Sequence, residues 1–206
     1  MPLKVRAKVV DLRTDTPTSD DRFLVDTNAW LWLHYPPASL RTDGSPLPQA
    51  SDYPEFIKRA LNAGAFLHCA ALEFAELAHN IEKFERDIYA SQASCEIGTK
   101  KYRHDYPNQR LKVTRLIQET WADVLSMSTL LDAVLDSAAT ASAAALFSSI
   151  AVDGYDLFMV EAARTSGVIQ IVTDDADYVT VPDIVVFTAN DKAIRAASGA
   201  GKLVTR

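Results

Sequence analysis

The chain has 206 residues, 48% hydrophobic and 23% charged, a globular balance that excludes intrinsic disorder. Twenty-seven acidic against 21 basic residues give a formal charge of −6, which argues against a generally basic nucleic-acid coat and leaves room for a local basic patch. The two cysteines, Cys69 and Cys95, form no CxxC pair, so a zinc ribbon and a disulfide scaffold are excluded.

The charged N-terminal stretch lacks the apolar run of a signal peptide, and within it residues 3–12 suit an edge strand or an arm spanning about 1–20. FLVD (Phe23 to Asp26) is a short apolar run ending in a carboxylate, the pattern of a buried parallel strand. TNAWLWLH follows as a helix, with Thr27 or Asn28 as its N-cap. Residues 35–54 hold five of the nine prolines and read as a loop. Ser51 caps a helix to about Asn62, with Gly64 beyond its end. AFLHCA is a second buried strand. In LEFAELAHNIEKFERDIYA, Phe74, Leu77, Ile81, Phe84 and Ile88 recur at helical spacing. Another long helix runs from about Asn108 to Leu125 on Leu111, Leu116, Ile117, Thr120, Trp121 and Val124. LSMSTLL suits a strand, and the Ala-rich stretch after it a helix. The longest uncharged run, Ser137 to Val152, has 16 residues, where a membrane span needs roughly 20 apolar ones. Tyr155 to Thr165 is a helix closed by Gly167, VIQIV a strand, TDDADY a turn, DIVVFTA a strand and NDKAIRAA a last helix. Strands alternating with helices predict one α/β domain over 1–206, a three-layer sandwich with a mainly parallel central sheet and a helical insertion over about 95–150. The expected setting is cytoplasmic, with no membrane partner.

The acids fall at informative places. Asp26 follows FLV, and Asp174 and Asp175 follow IVT. In an open parallel sheet, ligands bind at the carboxyl ends of strands, so acids nearly 150 residues apart are candidates for one site. Glu73 and Glu76 open one helix, and Asp153 and Asp156 open another. Any one of these acids alone suits capping or turn duty. Converging carboxylates, however, repel unless a cation neutralises them, and such a cluster suits Mg²⁺ or Mn²⁺.

LVDTN (Leu24 to Asn28), ALEFAEL (Ala71 to Leu77), DLFMVEAARTSGVIQIVTDDADY (Asp156 to Tyr178) and PDIVVFTAND, in that order, resemble the motifs of the PIN-domain nucleases. The resemblance implies a PIN-like fold and metal-dependent hydrolysis of RNA phosphodiester bonds. Carried over, Asp26, Glu76, Asp156 and Asp175 match the four catalytic acids, and Glu76 fits the second position better than Glu73. Asp26, Asp156 and Asp175 are then expected to ligate the metal, and Glu76 to ligate or to orient the attacking water. Asn28 and Thr173 are expected as polar supports, and Asp153 and Asp177 in the shell behind the ligands, while Asp174 fills a variable position. The family implies three partners: an RNA substrate, an antitoxin if the chain is the toxin of a type II pair, and a second copy in a homodimer. The chain departs from compact members in its Pro-rich loop and in the long stretch between Glu76 and Asp156.

Residues 100–115 hold Lys100, Lys101, Arg103, Arg110, Lys112 and Arg115 against Asp105 alone, a local +5. With Tyr102 and Tyr106 interleaved, the stretch suits unpaired RNA, and it equally suits a solvated helix face or an acidic protein partner. His68 reads as core. His79, three residues after Glu76, could face the site, although a surface or packing role suits it better, and Tyr178 reads as packing. A catalytically silent PIN-like binding module is the alternative function. A phosphotransfer protein of receiver type is disfavoured, because Thr27 and Asn28 follow Asp26 where a second acid would be needed.

Overall fold

Residues 3–41, 43–132 and 135–206 are described by the structure, a computed structural model. Six strands, β1 (Lys8–Asp11), β2 (Arg22–Val25), β3 (Phe66–Ala70), β4 (Thr129–Leu131), β5 (Gln170–Val172) and β6 (Val185–Thr188), form one sheet in the order β1-β6-β5-β2-β3-β4. Every pairing is parallel. The helices are α1 (Thr27–His34), α2 (Asp52–Asn62), α3 (Ala71–Gln92), α4 (Thr99–Asp105), α5 (Pro107–Met127), α6 (Ser137–Phe147), α7 (Gly154–Thr165) and α8 (Asp191–Gly199). Short 3₁₀ turns occupy Pro36–Ser39, Pro48–Ala50 and Ala176–Thr180.

Side-chain alternation along the strands builds two cores, one on each face of the sheet. Val10, Phe23, Val25, Leu67, Val172 and Phe187 enter one, with α1, α2, α3 and α5 against them. Val9, Leu24, Ile171 and Val186 enter the other, packed by α7 and α8. The first is rich in rings: Phe23 meets Phe187 and Phe56 edge-on at centroid distances of 4.9 and 5.3 Å. This is the expected three-layer α/β sandwich. Among the described residues, no helix is long and apolar enough to cross a membrane.

Several local expectations change. Asp26, rather than Thr27 or Asn28, is the N-cap of α1, because its carboxylate accepts from the Thr27 N–H at 2.7 Å. Ser51 precedes α2 without a side-chain cap bond. In α3, Leu77 and Ile81 are buried, but Phe74 and Ile88 are exposed and Glu82 and Glu85 are buried. The apolar stripe is therefore interrupted by acids, which α5 and its neighbour α4 satisfy with bases. Leu111 of α5 likewise faces out. The strand read at LSMSTLL is β4, which lies within the 95–150 stretch and extends the sheet beside β3.

Candidate functional site

Between β2 and β5 the strand order turns: β3 and β4 follow on one side, β6 and β1 on the other. Connections leave such a switch point in opposite directions and open a crevice at the strands' carboxyl ends. Asp26 leaves β2 there, and Thr173, Asp174 and Asp175 leave β5. The backbone ties the two ends together, the Asp26 N–H donating to the Val172 carbonyl at 2.9 Å. β3 passes directly into α3, so Glu73 and Glu76 fall in its first two turns, and Asp156 lies in the first turn of α7.

Asp26 is buried and held by three donors. Besides the Thr27 N–H, Asn28 Nδ2 donates to Oδ2 at 2.6 Å and Thr173 Oγ1 donates to the same oxygen at 2.5 Å. Thr173 also accepts from the Asp175 N–H at 2.9 Å, and Asn28 Oδ1 accepts from the Asp174 N–H at 3.3 Å. The two polar supports expected at the strand ends thus bind the first and last acids into one network. Thr27 Oγ1 donates to Glu76 Oε2 at 2.7 Å, bringing α3 to the same crevice. Tyr178 is buried as expected of a packing residue, but its hydroxyl also donates to Asp156 Oδ1 at 2.9 Å. That second duty was not legible from its ring alone.

Burial pushes the acids up, and their mutual charges push them further. Asp26 stands well above the usual carboxylate range through burial, Asp156 and Glu76. Burial, outweighing the Tyr178 hydrogen bond, raises Asp156 to about 7, with Asp153, Asp175 and Glu76 adding to the rise. Glu76 and Asp175 are raised too, chiefly by burial. The four matched acids therefore sense one another electrostatically. Among the described residues, no Lys or Arg forms an ion pair with any of them.

Glu73 is fully buried, and no donor among the described residues reaches its oxygens in full hydrogen-bond geometry, although the Ala70 backbone and the Trp30 indole act on it weakly. Burial and the Asp26 charge push it well above its ordinary value. An orphaned buried carboxyl is costly, and its place beside Asp26 makes it a member of the cluster. The family resemblance ranked it behind Glu76. A helical turn's offset carries Glu73 inward and leaves Glu76 at the half-buried rim.

The other expected residues divide. Asp153 is exposed and caps α7, accepting from the Tyr155 and Asp156 N–H groups at 2.8 and 3.2 Å. The Asp177 N–H donates to Asp175 Oδ1 at 2.8 Å, so this residue shapes the turn through its backbone. Asp174 accepts from the Tyr53 hydroxyl at 2.8 Å, and that hydroxyl also accepts from the Ala189 N–H at 3.0 Å. Tyr53 thereby joins α2 to the ends of β5 and β6, a role the Pro-rich surroundings did not signal. Tyr53→Phe is expected to cost about 1–3 kcal/mol, because the buried Ala189 N–H loses its acceptor. Thermal melts of the two proteins check this, and an unchanged midpoint would show the network to be dispensable.

The basic stretch is only partly free. Glu82 and Glu85, one face of α3 away in sequence, take up half of it. Arg103 grips Glu82 with two nitrogens, Arg110 Nη1 donates to Glu82 at 2.8 Å, and Lys112 Nζ to Glu85 at 2.9 Å. Tyr102 is buried and gives no surface ring, whereas Tyr106 is half-buried. The local +5 therefore overstates the open charge. His79 and Glu76 share the wall of a cleft.

The crevice offers hard carboxylate oxygens, raised first by burial and then by one another's charge. Among the described residues, no group of three or more His, Cys, Asp or Glu side chains lies so that it could hold a metal ion.

No protein-family model matches the chain. No curated protein matches it either. Among solved structures, VapBC2 from Rickettsia felis, bound to a DNA fragment from their promoter, is 13% identical over 81% of this chain and 98% of that one, with a TM-score of 0.47. FitAcB from Neisseria gonorrhoeae is 15% identical over 81% of this chain and 97% of that one, with a TM-score of 0.44.

Proposed function

We propose that the chain is a divalent-metal-dependent ribonuclease of the PIN type. The observation that carries this reading is a buried cluster of mutually raised acids, at the switch point of a parallel sheet, with no Lys or Arg paired to it among the described residues. A protein that leaves Asp26, Glu73 and Asp156 buried without a basic partner is destabilised by their charge unless they take up protons or a cation. The four motifs in their order support the same reading.

Asp26, Asp156 and Asp175 would hold Mg²⁺ or Mn²⁺, and Glu76 would ligate or orient the attacking water. Bound there, such an ion supplies Lewis-acid polarisation of the scissile phosphate and of the water that attacks it. The chain's own residues set the stage. Thr173 and Asn28 fix the Asp26 carboxylate by hydrogen bonds to one oxygen. Tyr178 fixes Asp156 by a hydrogen bond to one oxygen. Thr27 fixes one oxygen of Glu76, so the other can take a proton from water at the rim. No side chain need act as a nucleophile.

Labelled single-stranded RNA incubated with the purified chain is expected to be cleaved in Mn²⁺ or Mg²⁺ and to stay intact in EDTA or with Asp175→Asn. An inert wild type that also binds no metal in a titration would leave the acids structural and favour the silent module. The setting we assign to the activity is the toxin of a type II pair, on the family resemblance. Co-purification of a small antitoxin encoded beside it tests that assignment, and a chain that purifies alone from its native operon would favour RNA processing.

A further inference from the structure

We infer that the cleft beside the acids is a seat for single-stranded RNA, with Phe74 and Tyr155 as stacking surfaces and Arg103 with Arg110 as the phosphate clamp. The inference rests on the nuclease reading for the identity of the strand. The cleft holds about 570 Å³, within the range of ligand sites, and Glu76 lies on its wall together with Phe74, Glu82, Arg103, Arg110 and Tyr155. It therefore meets the acid cluster at Glu76.

Its two rings are unusual for their positions. Phe74 is 42% exposed and Tyr155 52%, although both sit on helices with buried neighbours. Phe74 is nonetheless held, its ring meeting Trp121 edge-on at 5.5 Å. A held, exposed ring costs hydration and contributes little to the core, whereas it offers a face to an unpaired base. Tyr155 lines the cleft beside Glu76, so a base resting on it would lie against the same wall as that acid.

The far end of the cleft carries the charge. Glu82 is buried, with only 6% of its side chain exposed, and two guanidiniums share it. The trio has one net positive charge. Arg103 and Arg110 remain 44% and 42% exposed, so nitrogens not spent on Glu82 point to solvent. A buried carboxylate that fixes two planar forks makes a preorganised site for a phosphate. Glu76 and Glu82 are six residues apart on α3, about 9 Å along the helix, so the clamp lies a short step along a strand from the acids. Lys112 pairs with a separate carboxylate and lies outside this cleft. The duplex is excluded because its bases are already stacked and paired.

Fluorescence anisotropy of a labelled twelve-residue oligouridylate, with EDTA present to stop cleavage, reads occupancy apart from chemistry. Phe74→Ala is expected to weaken binding about tenfold and Phe74→Tyr to restore it. Arg110→Gln, which keeps a donor for Glu82, is expected to weaken binding several-fold and to lower the salt slope by about one charge. A hairpin duplex of equal length is expected to bind more weakly than the single strand. Equal binding by wild type, Phe74→Ala and Arg110→Gln overturns the proposal, as does preference for the duplex or for an oligoglutamate peptide, the mark of an acidic protein partner. If the strand binds with these dependences and is not cleaved in metal, the seat stands and the nuclease reading fails. If it is cleaved with no effect of these variants on binding, the nuclease reading stands and the seat fails.

Discussion

Asp156→Asn is expected to lower RNA cleavage about 10²–10³-fold and, in metal-free buffer at pH 8, to raise the melting temperature by several degrees. The amide is nearly isosteric and keeps an oxygen to accept from Tyr178, 2.9 Å away in the wild type. What disappears is a buried negative charge facing Asp153, Asp175 and Glu76. Asp26→Asn is a sharper contrast than a repeat. It too removes charge, but Asp26 accepts from Thr27, Asn28 and Thr173, and an amide nitrogen cannot replace both oxygens against three donors. Its activity loss should match that of Asp156→Asn while its stability gain is smaller.

The gain must also depend on pH in one direction. Asp156 titrates at about 7 in the fold, chiefly through burial, and near 3.9 in the unfolded chain. The folded state therefore binds more protons between those values, and the wild type loses stability as pH rises from about 4 through about 7. At pH 5 the wild type has passed through only part of that range, so Asp156→Asn should bring a clearly smaller gain there than at pH 8. Bound Mg²⁺ or Mn²⁺ should remove the wild-type loss and leave the variant unmoved. Melts in EDTA and in metal, at pH 5 and pH 8, check all three statements. A variant no more stable than wild type at pH 8 in EDTA would mean that repulsion is not stored in this cluster.

The strands were legible because each is a short apolar run in a parallel sheet covered on both faces, and such runs stand out between polar turns. The placement of Asp26 and Asp175 was legible for the same reason, since Asp26 follows β2 directly and Asp175 comes three residues after β5. Glu73 and Tyr178 were not. The inward turn of Glu73 depends on how α3 leaves β3, which spacing alone does not fix, and the partner of the Tyr178 hydroxyl lies on another element. The pairing of Arg103 and Arg110 with Glu82 escaped for a different cause. Glu82 stands 18 residues before the basic stretch, so a count of local charge cannot see it. Long-range ion pairs are tertiary facts, and they halved the open basic surface.

Arg206→Ala is expected to cost about 3–5 kcal/mol and to lower the melting temperature by roughly 10 °C, far more than loss of a surface ion pair. Arg206 donates to Asp15 from Nε and Nη2 at 2.8 Å each, and to Asp21 from Nη1 and Nη2 at 2.5 and 2.9 Å. The Asp15 side chain is fully buried and that of Asp21 nearly so. The guanidinium also lies over the Phe187 ring, 4.6 Å from its centroid, at the base of the aromatic core. Truncation would strand two carboxylates at once. Lysine at this position should recover only part of the loss, because a single ammonium cannot fork to both acids and stack on the ring. Burial pushes Asp21 up, but the Arg206 and Gln170 hydrogen bonds outweigh it and hold the carboxyl at about 2. Its contribution is present above the unfolded value near 3.9 and fades as pH falls toward 2, so wild type and Arg206→Ala should converge in acid. That dependence runs opposite to the loss predicted for the crevice, where acids of similar burial find no basic partner among the described residues. Chemical denaturation of both proteins at pH 7 and pH 3 separates the two behaviours. A difference at pH 7 below about 1 kcal/mol would place this network with ordinary surface pairs.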